Sequence, residues 1–511
     1  MAKFYDTILG EYIQNPGVRG LSLDKLSEKY FDYEMIHYDE ITNKWKISFE
    51  EISLELAWKY SWEDVYMTYK LFKKQEKEKI IENQVLENIE IPLIEVLKNM
   101  EISWVKVDKN KLKKLWEILK EEIKGLELVI FDLAKEEFNI NSPKQVWEIL
   151  FEKLELPKWK KTKTGYSVGV EVLENLSKEY EIAEKILNYR HYKKLLSTYI
   201  DGILKILSSD DFIYTSYNQT VTTTGRLSST KPNLQNIPVW NWIAGEIRWA
   251  FISRFEWWKI MWFDYSQIEV RILAMMSRDD HLLEVFKNSG DIHQATWEFI
   301  FEKKDISASE RKIAKAVNFW VIYGISAFGL SKMINISVKQ AKIYIERFFL
   351  KYGEVKNFFN DIILNAEKNG FVESLFGRKR YIAWINDRNK MIKNTAEREA
   401  KNMPIQWTNA DIMKLAMIDI NNFMEAPLSP ALSPQGRKGE KLKSKMIIQV
   451  HDEVIFDVFP GEEKILQKNV KKIMENILIK YKKYFTYTIK EEDLIDLKVD
   501  FSIWNSWKEA K

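Results

Sequence analysis

The stretch Lys259–Arg271, KIMWFDYSQIEVR, decides how the rest of the chain is read. Ile260 to Phe263 is a short apolar run of strand character that delivers a carboxylate, Asp264, into a polar turn. A helix-like run follows, with Ile268, Arg271, Ile272 and Met275 at helical spacing. A carboxylate at the carboxyl end of a strand stands where open sheets commonly build their sites. An isolated Asp in such a place is more often a helix cap. Other stretches of the chain tip the balance toward chemistry.

Composition narrows the field first. Of 511 residues, 46% are hydrophobic and 30% charged, values of a globular chain long enough for several domains. The formal net charge is only +3, so any surface suited to nucleic acid must be local. There is no cysteine, which excludes disulfides, thiolate metal sites and cysteine nucleophiles. The five histidines are scattered, and none forms a metal-binding pair. The amino terminus carries acids too early for a signal peptide, and no apolar run approaches the roughly 18 residues of a membrane span. The expectation is a soluble, cytoplasmic chain.

Along the chain, residues 1–80 read as helical with a short hairpin-like middle, and 85–210 as strongly helical and rich in Lys and Glu. Within the latter, Asn188–Tyr199 interleaves Arg190, Lys193 and Lys194 with Tyr189, Tyr192 and Tyr199. That pattern suits either a phosphate backbone or a solvated helix face with snorkelling lysines. Residues 211–265 mix turns and short strands, 270–400 return to helix, and 400–424 form a further helix. The segment Glu425–Lys445, with three of the chain's eleven prolines, reads as a disordered insertion. Met446–Val458 is a hairpin, MIIQV and VIFDV about a tight HDE.

That hairpin supplies the second carboxylate, Asp452, beside Glu453. Two carboxylates brought together from separate strands can bridge two magnesium ions, as in-line phosphoryl displacement requires. In Arg311–Gly324, RKIAKAVNFWVIYG, residues Arg311, Lys315, Phe319 and Tyr323 recur every four positions. Each step drifts about 40°, so all four share a stripe about 120° wide on one helix. Two cations then two aromatics would grip a triphosphate and stack on a base; the same spacing also describes an amphipathic helix with core aromatics. Thr222–Pro238, TTTGRLSSTKPNLQNIP, is too polar for core, and Arg226 beside Gly225 could reach a groove or a phosphate. Arg398, Asn402 and Gln406 repeat the four-residue spacing on one helix face.

In this order and spacing, the four stretches TTTGRLSSTKPNLQNIP, DYSQIEVR, RxxxKxxNFxxxYG and VHDE resemble the motifs of the family A DNA polymerases of bacteria. The resemblance runs from about residue 5 to the end. It implies an α+β right-hand fold with an antiparallel palm sheet, helical fingers and a helical thumb. The implied divisions are a truncated 3′–5′ exonuclease-like segment at 1–80, thumb 81–210, palm 211–269, fingers 270–390, and palm again at 391–511. It implies a DNA-directed DNA polymerase of DNA repair or replication gap filling, a monomer working on a primer-template and dNTPs with two Mg2+ ions, Mn2+ substituting.

Asp264 and Asp452 would be the metal ligands, Glu453 their acidic neighbour, and Lys315 a general acid near the phosphates. Arg311, Phe319, Tyr323, Gln267, Glu269 and His293 would complete the nucleotide pocket, with Glu269 crowding a ribose 2′ position. Phe319 would imply discrimination against dideoxynucleotides. Arg226, Asn233, Gln235, Asn236, Arg190, Lys194, Arg398, Asn402, Gln406 and His451 match DNA contacts, the last at the primer terminus. Asp6, Tyr60 and Asp64 match exonuclease positions whose remaining carboxylates have no counterpart here, so no proofreading is expected.

The chain departs from the family in its tryptophans. Trp104, Trp147, Trp159, Trp320, Trp407 and Trp504 stand at family glycine positions, and 19 tryptophans accompany only 18 glycines, half the usual glycine share of about 7%. A gene in which UGA encodes glycine would produce this pattern. The alternative is a catalytically inactive DNA-binding relative with Trp320 and Trp407 plugging its pocket.

Overall fold

A computed structural model describes residues 4–18, 20–157, 161–162, 165–237, 242–254, 259–288, 290–301, 307–427, 439 and 441–507. Its centre is a four-stranded antiparallel sheet. In chain order the labelled elements are strand β1 (Lys259–Tyr265), helices α1 (Ile268–Ser277), α2 (Ala308–Ile322) and α3 (Lys390–Glu425), then strands β2 (Lys445–Val450), β3 (Glu453–Val458) and β4 (Val499–Trp504). The spatial order is β2-β3-β1-β4.

β1 forms because its apolar residues can be buried on both faces. Met261, Phe263 and Tyr265 enter one core with α1 and α3, while Ile260 and Trp262 enter a second core with the helices of residues 109–206. A strand covered twice reads as a continuous apolar run rather than an alternation. The polar exceptions in β1 are Lys259 at its start and Asp264 near its end, both half-buried. The strand is longer than the sequence suggests, and Asp264 lies in its last two residues rather than in the turn beyond.

α3 runs without a break for 36 residues, about 54 Å, through the middle of the molecule. From Met403 to Ile420 nearly every side chain is buried. The sequence suggested two helices meeting near residue 400; Pro404 lies inside α3 without ending it. Tertiary cover on all sides outweighs the single backbone bond that proline removes. A small hairpin, Phe371–Glu373 with Lys379–Tyr381, interrupts the helical stretch expected over 270–400. The hairpin expected within residues 1–80 is not present among the described residues there. Tyr38–Ile41 is a helical turn, followed by Asn43, Lys44 and Trp45 at positive φ. Among the described residues, the alternation of ITNKWKISF has no neighbouring strand to pair with.

Beneath α3 sits a buried charge cluster. Arg378 donates to Asp411 Oδ1 from Nε (3.0 Å) and Nη2 (2.6 Å), and to Glu90 Oε1 (2.5 Å). Lys414 Nζ reaches the same Glu90 oxygen at 2.6 Å, and Gln219 Nε2 donates to Glu90 Oε2 at 2.7 Å. These contacts tie the Leu86–Glu90 turn, the 371–381 hairpin and α3 into one unit. No helix among the described residues is long and apolar enough to cross a membrane.

Burial alone would push the Glu90 carboxyl up, but Lys414 and Arg378 more than reverse this and hold it at about 2. Its contribution to stability is therefore complete above the unfolded-state value of about 4.3 and is lost as pH falls toward 2. Glu90→Gln leaves two buried cations short of a partner. It is expected to lower the unfolding free energy by about 3–5 kcal/mol in urea titrations at pH 7. A loss below about 1 kcal/mol would show that the cluster is not held by its charges.

Candidate active site

The site is assembled by strand register. β3 lies antiparallel to β1 with Glu453 opposite Asp264, and the Tyr265 amide donates to the Asp452 carbonyl at 3.2 Å. Asp452 therefore emerges from the β2–β3 turn beside the end of β1. His451, preceding it, takes the left-handed conformation that so tight a turn demands (φ 51°) and is exposed. Both carboxylates named from the sequence are thus brought to one place.

Two further groups converge on Asp452 and on Glu269. Asn409 on α3 donates from Nδ2 to Asp452 Oδ1 at 2.8 Å and lies 3.4 Å from Glu269 Oε1. Arg226 Nη2 donates to Glu269 Oε1 at 2.8 Å and stands 3.8 Å from Asp452 Oδ1. Burial raises the Glu269 carboxyl most; Arg226 opposes this, Asp452 adds to it, and the Asn409 hydrogen bond opposes it. The result is a value of about 7. Glu453 is 2% exposed and faces Arg248 at 3.6 Å. Arg248 in turn donates to the Ile237 carbonyl and stacks on Trp507, 4.2 Å from the ring centroid.

A cavity of about 240 Å3 opens beside these groups, lined by Gln267, Glu269, His293, Lys315, Tyr323 and Asp452 among others. Six residues expected from distant parts of the sequence thus share one space. Lys315 is exposed on α2, and Tyr323 caps that helix, its carbonyl accepting from Asn402 Nδ2 at 3.3 Å. Burial lowers the His293 imidazole, with Asp291 opposing, and its Nδ1 lies 3.0 Å from Asn318 Nδ2. Arg311 is not part of the lining; it pairs with Asp291 at 2.5 Å. The side chains of Phe319 and Trp320 lie outside the described residues.

Other expected residues are more scattered. Arg398 is exposed on α3, packed so close to Gly324 (φ +69°) that a Cβ there would meet its Cγ at 3.2 Å. Gln406 is half-buried one helical repeat beyond Asn402. Gln235 Nε2 donates to Gln449 Oε1 at 2.9 Å, and Gln449 Nε2 donates to the His451 carbonyl at 2.6 Å. This chain of amides joins the Thr222–Pro238 segment to the β2–β3 hairpin. Asn233 and Asn236 are exposed on that segment, and Tyr199 donates to the Asn236 carbonyl at 2.6 Å. Arg190 is spent internally, donating to the Val168 carbonyl at 2.6 Å, whereas Lys194 is exposed.

Near the amino terminus, the Asp6 carboxylate caps its own helix, accepting from the Ile8 and Leu9 amides. Tyr60 and Asp64 line a different cavity, of about 530 Å3, to which Asp6 does not contribute. The tryptophans differ among themselves. Trp407, 1% exposed, packs on Gly225 and donates from Nε1 to the Thr223 carbonyl at 2.9 Å. Its ring is accommodated rather than plugging the cavity, whose lining does not include it. Trp104 takes φ 54° and ψ 161°. Trp159 and the core of the 425–445 insertion (428–438 and 440) lie outside the described residues.

Sequence reasoning missed Asn409 and Arg248. Asn409 was within reach: eleven residues beyond Arg398 it returns to within about 20° of that residue on the helix, on the face already marked by Asn402 and Gln406. No sequence signal marks Arg248.

Residues 109–509 match the family model described as DNA polymerase family A, and residues 1–79 match that of a 3′–5′ exonuclease. The DNA polymerase I of Bacillus subtilis (strain 168) is 40% identical over 516 residues, covering 99% of this chain and 55% of that protein. The DNA polymerase I of Caldicellulosiruptor bescii is 46% identical over 393 residues, covering 76% and 45%. Among solved structures, the POL domain of Pol1 from M. smegmatis, in complex with DNA primer-template and dNTP, aligns with a TM-score of 0.83. It is 31% identical, over 99% of this chain and 82% of that one. The chain spans about half the length of the curated relatives it matches. Its fold is the right-hand polymerase fold, with the β2-β3-β1-β4 sheet as its palm. The chain belongs to DNA polymerase family A.

Because Glu269 binds its proton more tightly folded than unfolded, its charging destabilises the fold as pH rises from about 4.3 through 7. Arg226 holds this value down, so Arg226→Gln is expected to move the Glu269 midpoint above 7 in a carbon-13 carboxyl titration, with Glu269→Gln assigning the signal. An unchanged or lower midpoint would contradict the arrangement.

Proposed function

We propose that the chain is a DNA-directed DNA polymerase, extending a primer 3′-hydroxyl with dNTPs in repair or gap filling. The observation that carries the reading is the register that brings the end of β1, with Asp264, beside the turn bearing Asp452, which lines a cavity with Lys315, Tyr323 and Glu269. In this reading residues 81–210 are the thumb, 211–269 and 391–511 the palm, and 270–390 the fingers.

Asp264 and Asp452 would hold two Mg2+ ions. The donor set suits magnesium, which takes one or two carboxylates and leaves the remaining positions to water and substrate phosphates. Among the described residues no group of three or more His, Cys, Asp or Glu forms an all-protein cage. When bound, such ions activate the attacking hydroxyl and neutralise the leaving oxygens.

The chain's own residues do the remaining work. Lys315 and Arg311 attract the triphosphate, and Lys315 Nζ can pass a proton to the departing pyrophosphate oxygen. Arg311 must exchange Asp291 for a phosphate to take part, a trade between like anions. Tyr323 and Phe319 stack on base and sugar, with Gln267 and His293 completing the pocket. Glu269, fixed by Arg226 and Asn409, crowds the position a ribose 2′-hydroxyl would need. Glu453, buried on Arg248, acts through the strand and not on substrate. Arg226, Asn233, Gln235, Asn236, Lys194, Arg398, Asn402, Gln406 and His451 face the primer-template, whereas Arg190 ties its helix to the Val168 carbonyl. The reading assigns no proofreading to this chain, because Asp6 is engaged as a helix cap and does not line the cavity that Tyr60 and Asp64 share.

Primer extension with Mg2+ tests the reading. Asp264→Ala and Asp452→Ala should each lower the extension rate about a thousandfold or more, the loss of several kcal/mol of transition-state stabilisation. Primer-template affinity should stay within a few-fold. A chain that binds primer-template yet never extends it would instead be a silent DNA-binding relative.

A further inference from the structure

We propose that Asn409 is a positioning residue that fixes the Asp452 carboxylate and couples it to Glu269, setting both the grip on metal and the strictness of sugar selection. The inference rests on the polymerase reading of the site. Asn409 is 1% exposed, on the stretch of α3 that is buried on all sides. Its Nδ2 donates to Asp452 Oδ1 at 2.8 Å and lies 3.4 Å from Glu269 Oε1. Its own Oδ1 is buried with no hydrogen-bond partner. That is a costly state for an amide oxygen, and it persists in native proteins where something else compels it. Here the compulsion is electrostatic, because the opposite orientation would set that oxygen against two carboxylates.

Arg226 reaches the same two oxygens, donating to Glu269 Oε1 at 2.8 Å and standing as a charge 3.8 Å from Asp452 Oδ1. It reaches in from the Thr222–Pro238 segment, which the proposed function assigns to DNA, so binding of primer-template competes for it. Asn409 sits on a rigid helix braced from below by Arg378, Asp411 and Lys414. It is the donor that stays when Arg226 is drawn away. A metal-binding carboxylate held by an outer amide keeps one oxygen aimed and the other oriented for the ion.

The test compares the unaltered chain, Asn409→Ala and Asn409→Ser, which keeps a short donor. Mn2+ affinity of each primer-template complex is read by electron paramagnetic resonance, apart from any turnover. Asn409→Ala should weaken Mn2+ binding about tenfold or more. It should lower kcat while leaving KM for dNTP nearly unchanged, and raise ribonucleotide relative to deoxynucleotide incorporation. Asn409→Ser should recover part of both, with thermal midpoints close to that of the unaltered chain. Wild-type Mn2+ affinity and sugar selectivity in Asn409→Ala would overturn the proposal. Failure of the unaltered chain to extend would overturn the polymerase reading instead, and the Mn2+ arm would still judge the hold on Asp452. Should Asn409→Ala fail to fold, Asn409→Ser alone decides, by the same two readouts.

We also infer, from backbone conformation and independently of the site, that Trp45 and Trp104 are glycines in the protein as its own cell makes it, UGA being read there as glycine. Trp104 takes φ 54° with ψ 161°, bordering a region occupied almost solely by glycine. Trp45 has φ 64° and is 72% exposed, its ring meeting that of Tyr38 with centroids 4.7 Å apart, so little burial offsets the conformation. Both sit in a chain with half the usual glycine share. Mass spectrometry of peptides from the source cells should show glycine at 45 and 104. Tryptophan in those peptides would overturn the inference.

Discussion

One antiparallel register governs this molecule, the pairing that sets Glu453 of β3 against Asp264 of β1. The pleat gives each strand two faces, so a slip of one residue would turn Asp264 to the opposite face and drive Met261 and Phe263 the other way, out of the core they fill. The slip is resisted because both faces are buried, with Phe263 meeting Phe456 edge to face at 5.6 Å on one side. On the other, Asp457 of the same strand is held by Arg254 Nε at 2.6 Å and by the Ser253 hydroxyl. Apolar packing and a buried ion pair therefore specify the same register. The position of Asp452, one residue before β3, follows from it.

The second constraint is the cluster of Glu90, Arg378, Asp411 and Lys414. Burying four charges is not in itself a source of large net stability, since desolvation offsets most of the attraction. Its effect here is geometric. Arg378 and Lys414 hold Asp411 and Glu90 at fixed points under α3, which sets the rotation of that helix. Rotation of α3 in turn aims Asn409 at Asp452 and places Asn402 under the Tyr323 carbonyl. A core joined only by leucines would tolerate sliding of this helix; paired charges with directional hydrogen bonds do not.

Much of this was legible in the sequence because the informative stretches are local. KIMWFDYSQIEVR contains its own strand, turn and helix, and MIIQVHDEVIFDV its own hairpin, so both carboxylates could be named and paired. The four-residue spacing of Arg311, Lys315 and Tyr323 likewise needs only one helix, although the helix places just Lys315 and Tyr323 at the cavity. What the sequence concealed depends on distant partners. Pro404 looks like a helix end until the cover around α3 is known. ITNKWKISF alternates like a strand, yet among the described residues no strand lies beside it. Glu453 reads as a catalytic acid beside Asp452, and only the fold shows it buried 3.6 Å from Arg248, some two hundred residues earlier. Asn409 repeats the helix face of Arg398, Asn402 and Gln406, but the two carboxylates it meets come from other segments and show only in the fold.

The proposed function requires a two-ion site at Asp264 and Asp452, built by this register. The most direct measurement is an anomalous difference map from crystals of the chain with primer-template, a non-hydrolysable dNTP and Mn2+. The account predicts two peaks roughly 3.5–4 Å apart, each within coordination distance of oxygens from Asp264 or Asp452. Peaks held by other residues, or none at these two carboxylates when the nucleotide is bound, would contradict it.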